Sequence, residues 1–152
     1  MGSHSDRAKE LFHQGYNCSQ AVFAAFCDET GLECETALKI ASSFGGGMGR
    51  LREVCGAVSG AFMVLGMKYG YIDPLDKNKK TMHYKLVQEF AKDFEKQYDS
   101  IVCRELLGLS VNHESYIPED RTKHYYKKRP CVELVAYAAK LLEEYIQGQN
   151  IT

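Results

Sequence analysis

No two of the six cysteines stand in C-x-x-C spacing, which excludes a local zinc knuckle, a thioredoxin-like motif and a c-type haem attachment site. No apolar run reaches the roughly 18 residues that crossing a bilayer requires. The best candidate, residues 54–67, is interrupted by Gly56, Ser59, Gly60 and Gly66. Charge of one sign is not in excess: the net charge is −1, so nothing global favours nucleic acid or an anionic membrane. Alternating strand-like patterns are absent, and only Pro74, Pro118 and Pro130 interrupt the chain. Linkers, repeats and low-complexity segments are missing as well. The opening residues MGSHSDRAKE lack the basic and apolar regions of a signal peptide, so the expected compartment is the cytoplasm. Gly2-Ser3-His4 reads as an expression remnant. Residues 1–5 are therefore expected to be tag-derived or disordered, and His4 receives no weight.

What remains is 152 residues of ordinary globular composition, 45% apolar and 26% charged, enough for one domain with a real core. The periodicity is helical nearly throughout. Helices are expected over residues 6–13, 18–27, 35–43, 53–69, 77–99, 101–107 and 130–147, with 109–122 a loop. Ser5, Asn17 and Ser100 are the expected N-caps, and Gly70 the left-handed C-cap of the fourth helix. The long fifth helix carries the stripe Met82, Leu86, Phe90, Phe94 and Tyr98. The reading is all-α: residues 1–152 as one compact bundle of five to seven helices.

Stable disulfides are rare in a reducing compartment, so six cysteines point to metal binding or redox chemistry. Cys18, Cys55, Cys103 and Cys131 each fall in the first turn of an expected helix. There backbone N–H groups lack partners and the helix dipole is positive, which favours thiolate. Arg50 and Arg52 near Cys55, Arg104 beside Cys103, and Lys127, Lys128 and Arg129 before Cys131 push the same way. Buried structural cysteines have no preference for helix starts. Cys27 and Cys34 do not fit this pattern and read as structural or accessory thiols.

Two glycine patterns accompany the cysteines. Gly56 and Gly60 form a small-residue face that admits either a packed helix or a ligand. Gly45, Gly46, Gly47 and Gly49 follow a helix and precede no Gly-Lys-Ser/Thr, which excludes a Walker loop and a dinucleotide fingerprint. Their amides remain candidates for holding an anion, a cofactor phosphate or a sulfur cluster. The run Arg121-Thr122-Lys123-His124-Tyr125-Tyr126-Lys127-Lys128-Arg129 is a weak nucleic-acid signature that a solvated helix start explains equally. His13, His83, His113 and His124 show no ligand spacing.

Cys55-Gly56-Ala57-Val58-Ser59-Gly60 resembles the C-G-A-x-x-G motif of the C_GCAxxG_C_C family, named for a suggested redox activity. Cys18 in Gly15-Tyr16-Asn17-Cys18-Ser19-Gln20-Ala21 corresponds to the first family cysteine. Cys103 in Cys103-Arg104-Glu105-Leu106-Leu107-Gly108 corresponds to the third and Cys131 to the fourth. The glycine cluster and Val64-Leu65-Gly66 are similar too, and the likeness spans roughly residues 8–146. It implies four working cysteines and no substrate.

Three functions are carried forward. The first is thiol redox chemistry, in which one thiolate, such as Cys55, attacks a disulfide or oxidant and another cysteine resolves it. The second is a zinc or iron–sulfur site with Cys18, Cys55, Cys103 and Cys131 as ligands. The third is a non-catalytic binding module. The redox partner is unidentified, and a homo-oligomer is left open.

Overall fold

The computed structural model describes residues 3–110 and 114–151. Nine α-helices are present among them: α1 His4–His13, α2 Cys18–Ala25, α3 Cys27–Thr30, α4 Cys34–Ala41, α5 Gly56–Tyr69, α6 Lys77–Tyr98, α7 Cys103–Leu106, α8 Lys123–Lys128 and α9 Cys131–Ile151. The expected count of five to seven was too low because two short helices, α3 and α8, escape a periodicity reading. One helical turn spans too few residues to show a repeat. The segment Gly45–Met48 turns like a helix, but Gly46 and Gly47 have positive φ, so it is a loop. Among the described residues no helix is long and apolar enough to cross a membrane.

α2 and α5 pack face to face in the middle of the bundle, and α1 and α9 pack beside them. The core joins Phe12 of α1, Val22 and Phe23 of α2, Val58, Val64 and Leu65 of α5, and Val135 and Leu142 of α9. Gly60 explains how close α2 and α5 come. A Cβ there would meet the Ser19 carbonyl oxygen at 2.8 Å and Val22 Cβ at 3.2 Å. Of the two occupants the sequence allows for this face, a packed helix is the one present at Gly60.

Local signals explain most helix ends. Asn17 caps α2 in a full capping box with Gln20, as expected. Asp76 caps α6 by accepting from the Lys79 N–H, and Asp99 closes it in the left-handed conformation.

Several expectations fail for physical reasons. Ser3, not Ser5, caps α1, and Ser5 Oγ instead donates to the Ala136 carbonyl at 2.9 Å. Residues 3–5 form the cap and the start of α1. His4 stacks on Phe26 and bonds Glu143 and Asp28. Ser100 stands outside α7, whose N-cap is Val102. It holds the approach instead, accepting from the Val102 N–H and donating to Glu105. Gly70 is extended rather than left-handed, because the chain leaves α5 directly into the turn before α6. α9 runs on through Gly148, which no described residue crowds. Only Phe90 and Phe94 of the α6 stripe are buried, and Met82 is 64% exposed, since the first half of α6 extends past the core.

Candidate functional site

Each of the four family-like cysteines occupies a helix start. Cys18, Cys103 and Cys131 are the first residues of α2, α7 and α9, and Cys55 is the N-cap of α5. α5 begins three residues later than expected because Glu53 and Val54 are taken by another partner. Val54 pairs with Val102 in an isolated antiparallel bridge. Around it the Cys55 N–H donates to the Ile101 carbonyl at 2.7 Å and the Cys103 N–H to the Glu53 carbonyl at 2.5 Å. This clamp holds two cysteines side by side although 48 positions separate them in the chain.

All four cysteines line one cavity of about 50 Å³, together with Asn17, Gly46, Gly47, Gly56, Arg52 and Tyr125. Space of that size admits a few water-sized molecules. Cys55, Cys103 and Cys131 are buried and Cys18 is half-buried. A larger groove of about 540 Å³ lies between Tyr69 and α6 and contains no cysteine.

The glycines divide accordingly. Gly46 and Gly47 face the cavity, and Gly56 reaches it while packing on Cys18 and Ser19. Gly45 packs on Asn17, Gly49 has open space around its Cα, and Gly60 packs on α2; these three are not among the cavity's lining residues. At Gly47 (φ +66°) a Cβ would come within 2.6 Å of Cys103 Cβ and 2.7 Å of Arg52 Cα, so glycine is required there twice over. Met48, Arg50 and Arg52 are also left-handed, at φ 71°, 69° and 59°. Such backbone strain is concentrated where surrounding contacts hold it in place.

Arg52 is that contact. Arg52 is 4% exposed, and its guanidinium donates from Nη1 to Cys103 Sγ at 3.5 Å and pairs with Glu114 at 2.6 Å. Glu114 also lies 3.8 Å from Arg50 and 3.9 Å from Arg129. Arg129 is buried, and its Nε has no hydrogen-bond partner among the described residues. The expected neighbours were partly misassigned. Arg52 serves Cys103 rather than Cys55, and Arg104 turns to Glu53 and the Arg52 carbonyl.

Thiol acidity departs from the expectation that all four would be lowered. Burial pushes the Cys55 thiol up to about 12, although the Val58 and Ala57 amides oppose it as a helix start should. Burial also raises Cys103, against the pull of Arg52. The Cys18 thiol donates a hydrogen bond to the Cys131 sulfur, which holds Cys18 well above its ordinary value; burial adds to this. The same bond lowers Cys131 to about 7, helped by Arg129, Arg52 and Arg121 against the opposing effect of burial. In a dry interior, desolvation of a thiolate outweighs the helix dipole at Cys55 and outweighs Arg52 as well at Cys103; at Cys131 the Cys18 thiol and the arginines together prevail over it.

The sequence reading missed Glu114 and Tyr125. Nothing local marks Glu114, since its arginine partners are distant in the chain. Tyr125 and Arg121 sat inside the run read as a nucleic-acid signature. Arg121 is spent internally, donating to the Phe12 and Tyr16 carbonyls at 2.9 Å each and stacking on Phe12 at 4.2 Å. Arg129 pairs with Glu119 at 3.1 Å. His113 lies outside the described residues.

A single zinc ion does not fit the cysteines in this arrangement. Four thiolates on zinc stand about 3.8 Å apart. Among the described residues, the only group of three or more His, Cys, Asp or Glu donors within 4.8 Å of one another is His4, Asp28 and Glu29. Neither a curated protein nor a solved structure matches the chain. A family model does: the one described as putative redox-active protein (C_GCAxxG_C_C) matches residues 16–145, and the chain belongs to that family.

Proposed function

We propose that the protein is a thiol redox protein in which Cys131 is the attacking thiolate and Cys18 its resolving partner. What supports this is that Cys18 and Cys131 line one cavity, where the Cys18 thiol and nearby arginines lower Cys131 to about 7. Cys55, the earlier candidate attacker, is disfavoured by a thiol pushed up to about 12.

The small cavity favours a small oxidant, such as a peroxide, over a disulfide on a folded partner. The Cys131 thiolate attacks one peroxide oxygen. The O–O bond breaks, an S–O bond forms, and the leaving hydroxide takes the Cys18 proton to become water. The Cys18 thiolate then attacks the Cys131 sulfur, and the S–O bond breaks with loss of hydroxide. Two sulfurs are oxidised to a disulfide while peroxide is reduced to water and hydroxide. An external dithiol restores both thiols. Cys55 and Cys103 line the same cavity.

A second reading makes Cys18, Cys55, Cys103 and Cys131 the ligands of an iron–sulfur cluster, supported by the four thiols around one cavity. A cavity of about 50 Å³ would have to widen to hold it. One experiment separates the two. The protein is purified without oxygen, its iron, sulfide and visible spectrum are recorded, and it is treated with one equivalent of hydrogen peroxide. Differential alkylation and peptide mapping then locate any disulfide. A colourless, iron-free protein that acquires a Cys18–Cys131 disulfide is expected. Stoichiometric iron and sulfide with broad visible absorbance would overturn the thiol reading, as would a disulfide that omits Cys131.

A further inference from the structure

The net charge of −1 conceals an uneven distribution. Between α5 and α6 the chain turns at Asp73-Pro74-Leu75-Asp76, and two aliphatic side chains stand almost wholly in solvent there. Ile72 is 98% exposed and Leu75 is 89% exposed. Hydrogen bonds fix the turn that presents them. The Leu75 N–H donates to Asp73 Oδ1 at 2.9 Å, and the Lys77 N–H donates to the Leu75 carbonyl at 3.0 Å. A groove of about 540 Å³ adjoins the turn at Gly70, lined by Met82 and Leu86 and by Lys79 and Lys85. Lys77, Lys79 and Lys80 fall in the first turn of α6, which holds no acidic residue, and the next carboxylate along the chain is Glu89. Lys85 reaches Glu89 at 3.9 Å, while Lys77, Lys79 and Lys80 have no carboxylate partner among the described residues. Cations at this end oppose the helix dipole. Neither the exposed aliphatics nor these lysines stabilise the fold, and features that break local rules together mark functional surfaces.

We infer that the α5–α6 turn docks on an anionic bilayer, with Ile72 and Leu75 entering its interfacial layer and the lysines of α6 facing the lipid phosphates. The occupant follows from charge and shape. Over residues 71–88, Lys77, Lys79, Lys80 and Lys85 stand against Asp73 and Asp76. Both aspartates already accept backbone N–H groups, from Leu75 and Lys79 at 2.9 Å each. A negative surface complements that excess, whereas a second copy of this chain would bring the same lysines face to face about a twofold axis. Ile72 and Leu75 stand on a turn rather than in a groove. A folded acidic protein would need a matching pocket for them, but a bilayer accepts them anywhere on its surface. Tyrosines flank the turn in the same way. The Tyr71 and Tyr84 hydroxyls are 3.1 Å apart, and Lys80 Nζ lies 5.7 and 6.0 Å from the centres of their rings. Tyrosine and lysine suit such a boundary, because each joins an apolar body to a polar tip.

Docking at this turn leaves the thiol cavity uncovered. Cys55 caps one end of α5 and the turn follows the other, so the 14 residues of the helix separate them, about 21 Å. The inference does not depend on the chemistry of the cavity.

The test uses the full chain and vesicles of phosphatidylcholine with or without phosphatidylserine. The protein is expected to sediment with the anionic vesicles at low salt, to be released by high salt, and to stay in solution with the neutral ones. Two double variants, Ile72→Ser with Leu75→Ser and Lys77→Glu with Lys79→Glu, should each weaken partitioning at least about tenfold. Their helical circular dichroism should match the wild type, because all four side chains are exposed. Lys123→Glu with Lys127→Glu, on α8, should bind as the wild type does. The chain contains no tryptophan, so Ile72→Trp supplies a single reporter whose emission should shift to the blue on anionic vesicles alone. The inference is overturned if the wild type stays in solution with anionic vesicles at low salt, or if the Ile72→Trp emission does not move. Equal losses from the turn and α8 variants would overturn it as well. So would a self-association of the wild type that Ile72→Ser with Leu75→Ser abolishes, since a second copy would then be the occupant.

Discussion

Arg52 Nη1 donates to Cys103 Sγ at 3.5 Å while Arg52 Nε donates to Glu114 Oε1 at 2.7 Å. One buried guanidinium therefore ties a thiol of the cavity to a carboxylate 62 positions further along the chain. It does so from a left-handed backbone, on the loop whose Gly47 touches Cys103. The loop, α7 and the segment before α8 are held by the same side chain.

Arg52→Gln removes both links. Among the described residues Glu114 then keeps the more distant Arg50 and Arg129, at 3.8 and 3.9 Å. Loss of one partner from a buried, hydrogen-bonded ion pair is expected to destabilise the fold by roughly 2–4 kcal/mol, read by urea unfolding. The Cys103 thiol should also move further up, because the cation opposing its burial is gone. A variant with unchanged unfolding midpoint and unchanged Cys103 alkylation would contradict this account.

Cys131 should titrate near neutrality. Thiolate absorbance of the reduced protein is expected to rise with a midpoint near pH 7. That step should vanish in Cys131→Ser and shift upward in Cys18→Ser and in Arg129→Gln. The sign for stability follows from proton counting. From about pH 7 to 9 the folded chain has released the Cys131 proton and the unfolded chain has not, so stability rises with pH. Above about pH 9 the unfolded chain releases the Cys55 proton and the folded chain, with this thiol near 12, does not. Stability then falls. Urea midpoints in the wild type, Cys131→Ser and Cys55→Ser check the two limbs separately.

Gly60→Ala and Gly66→Ala make a controlled pair within α5. A Cβ at Gly60 meets the Ser19 carbonyl oxygen at 2.8 Å, whereas nothing lies within 4 Å of one at Gly66. Gly60→Ala is expected to force α2 from α5 and destabilise by about 1–3 kcal/mol. Gly66→Ala is expected to stabilise by up to about 1 kcal/mol through helix propensity alone. Thermal unfolding of both variants would refute the close-packing argument if they moved together.

The two halves of α6 should respond differently to truncation. Phe94 is fully buried, so Phe94→Ala is expected to cost about 3–5 kcal/mol. Met82 is 64% exposed, and Met82→Ala should stay within about 0.5 kcal/mol. Equal losses at the two positions would mean that the first half of α6 is covered in solution.

The helix starts that carry the four cysteines were readable because capping is local. Asn17 and Gln20 specify the start of α2 within four residues, and Pro130 marks the start of α9 in the same way. Where a distant partner intervenes, local reading fails. Residues 53–55 have helical neighbours but pair with 101–103, so α5 starts late and Cys55 becomes a cap. Ser5 and Ser100 are good caps by type, yet Ala136 and Glu105 draw their hydroxyls elsewhere.

The sequence by itself determined the all-α class and the placing of four thiols at helix starts, because periodicity and end signals act over a few residues. Only the tertiary structure decided which thiols share a cavity, which arginine faces which sulfur, and which sulfur is acidic. The helix dipole acts alike on all four, but burial and the Cys18–Cys131 hydrogen bond do not. Desolvation depends on every element packed around a group, and no local stretch of sequence contains it.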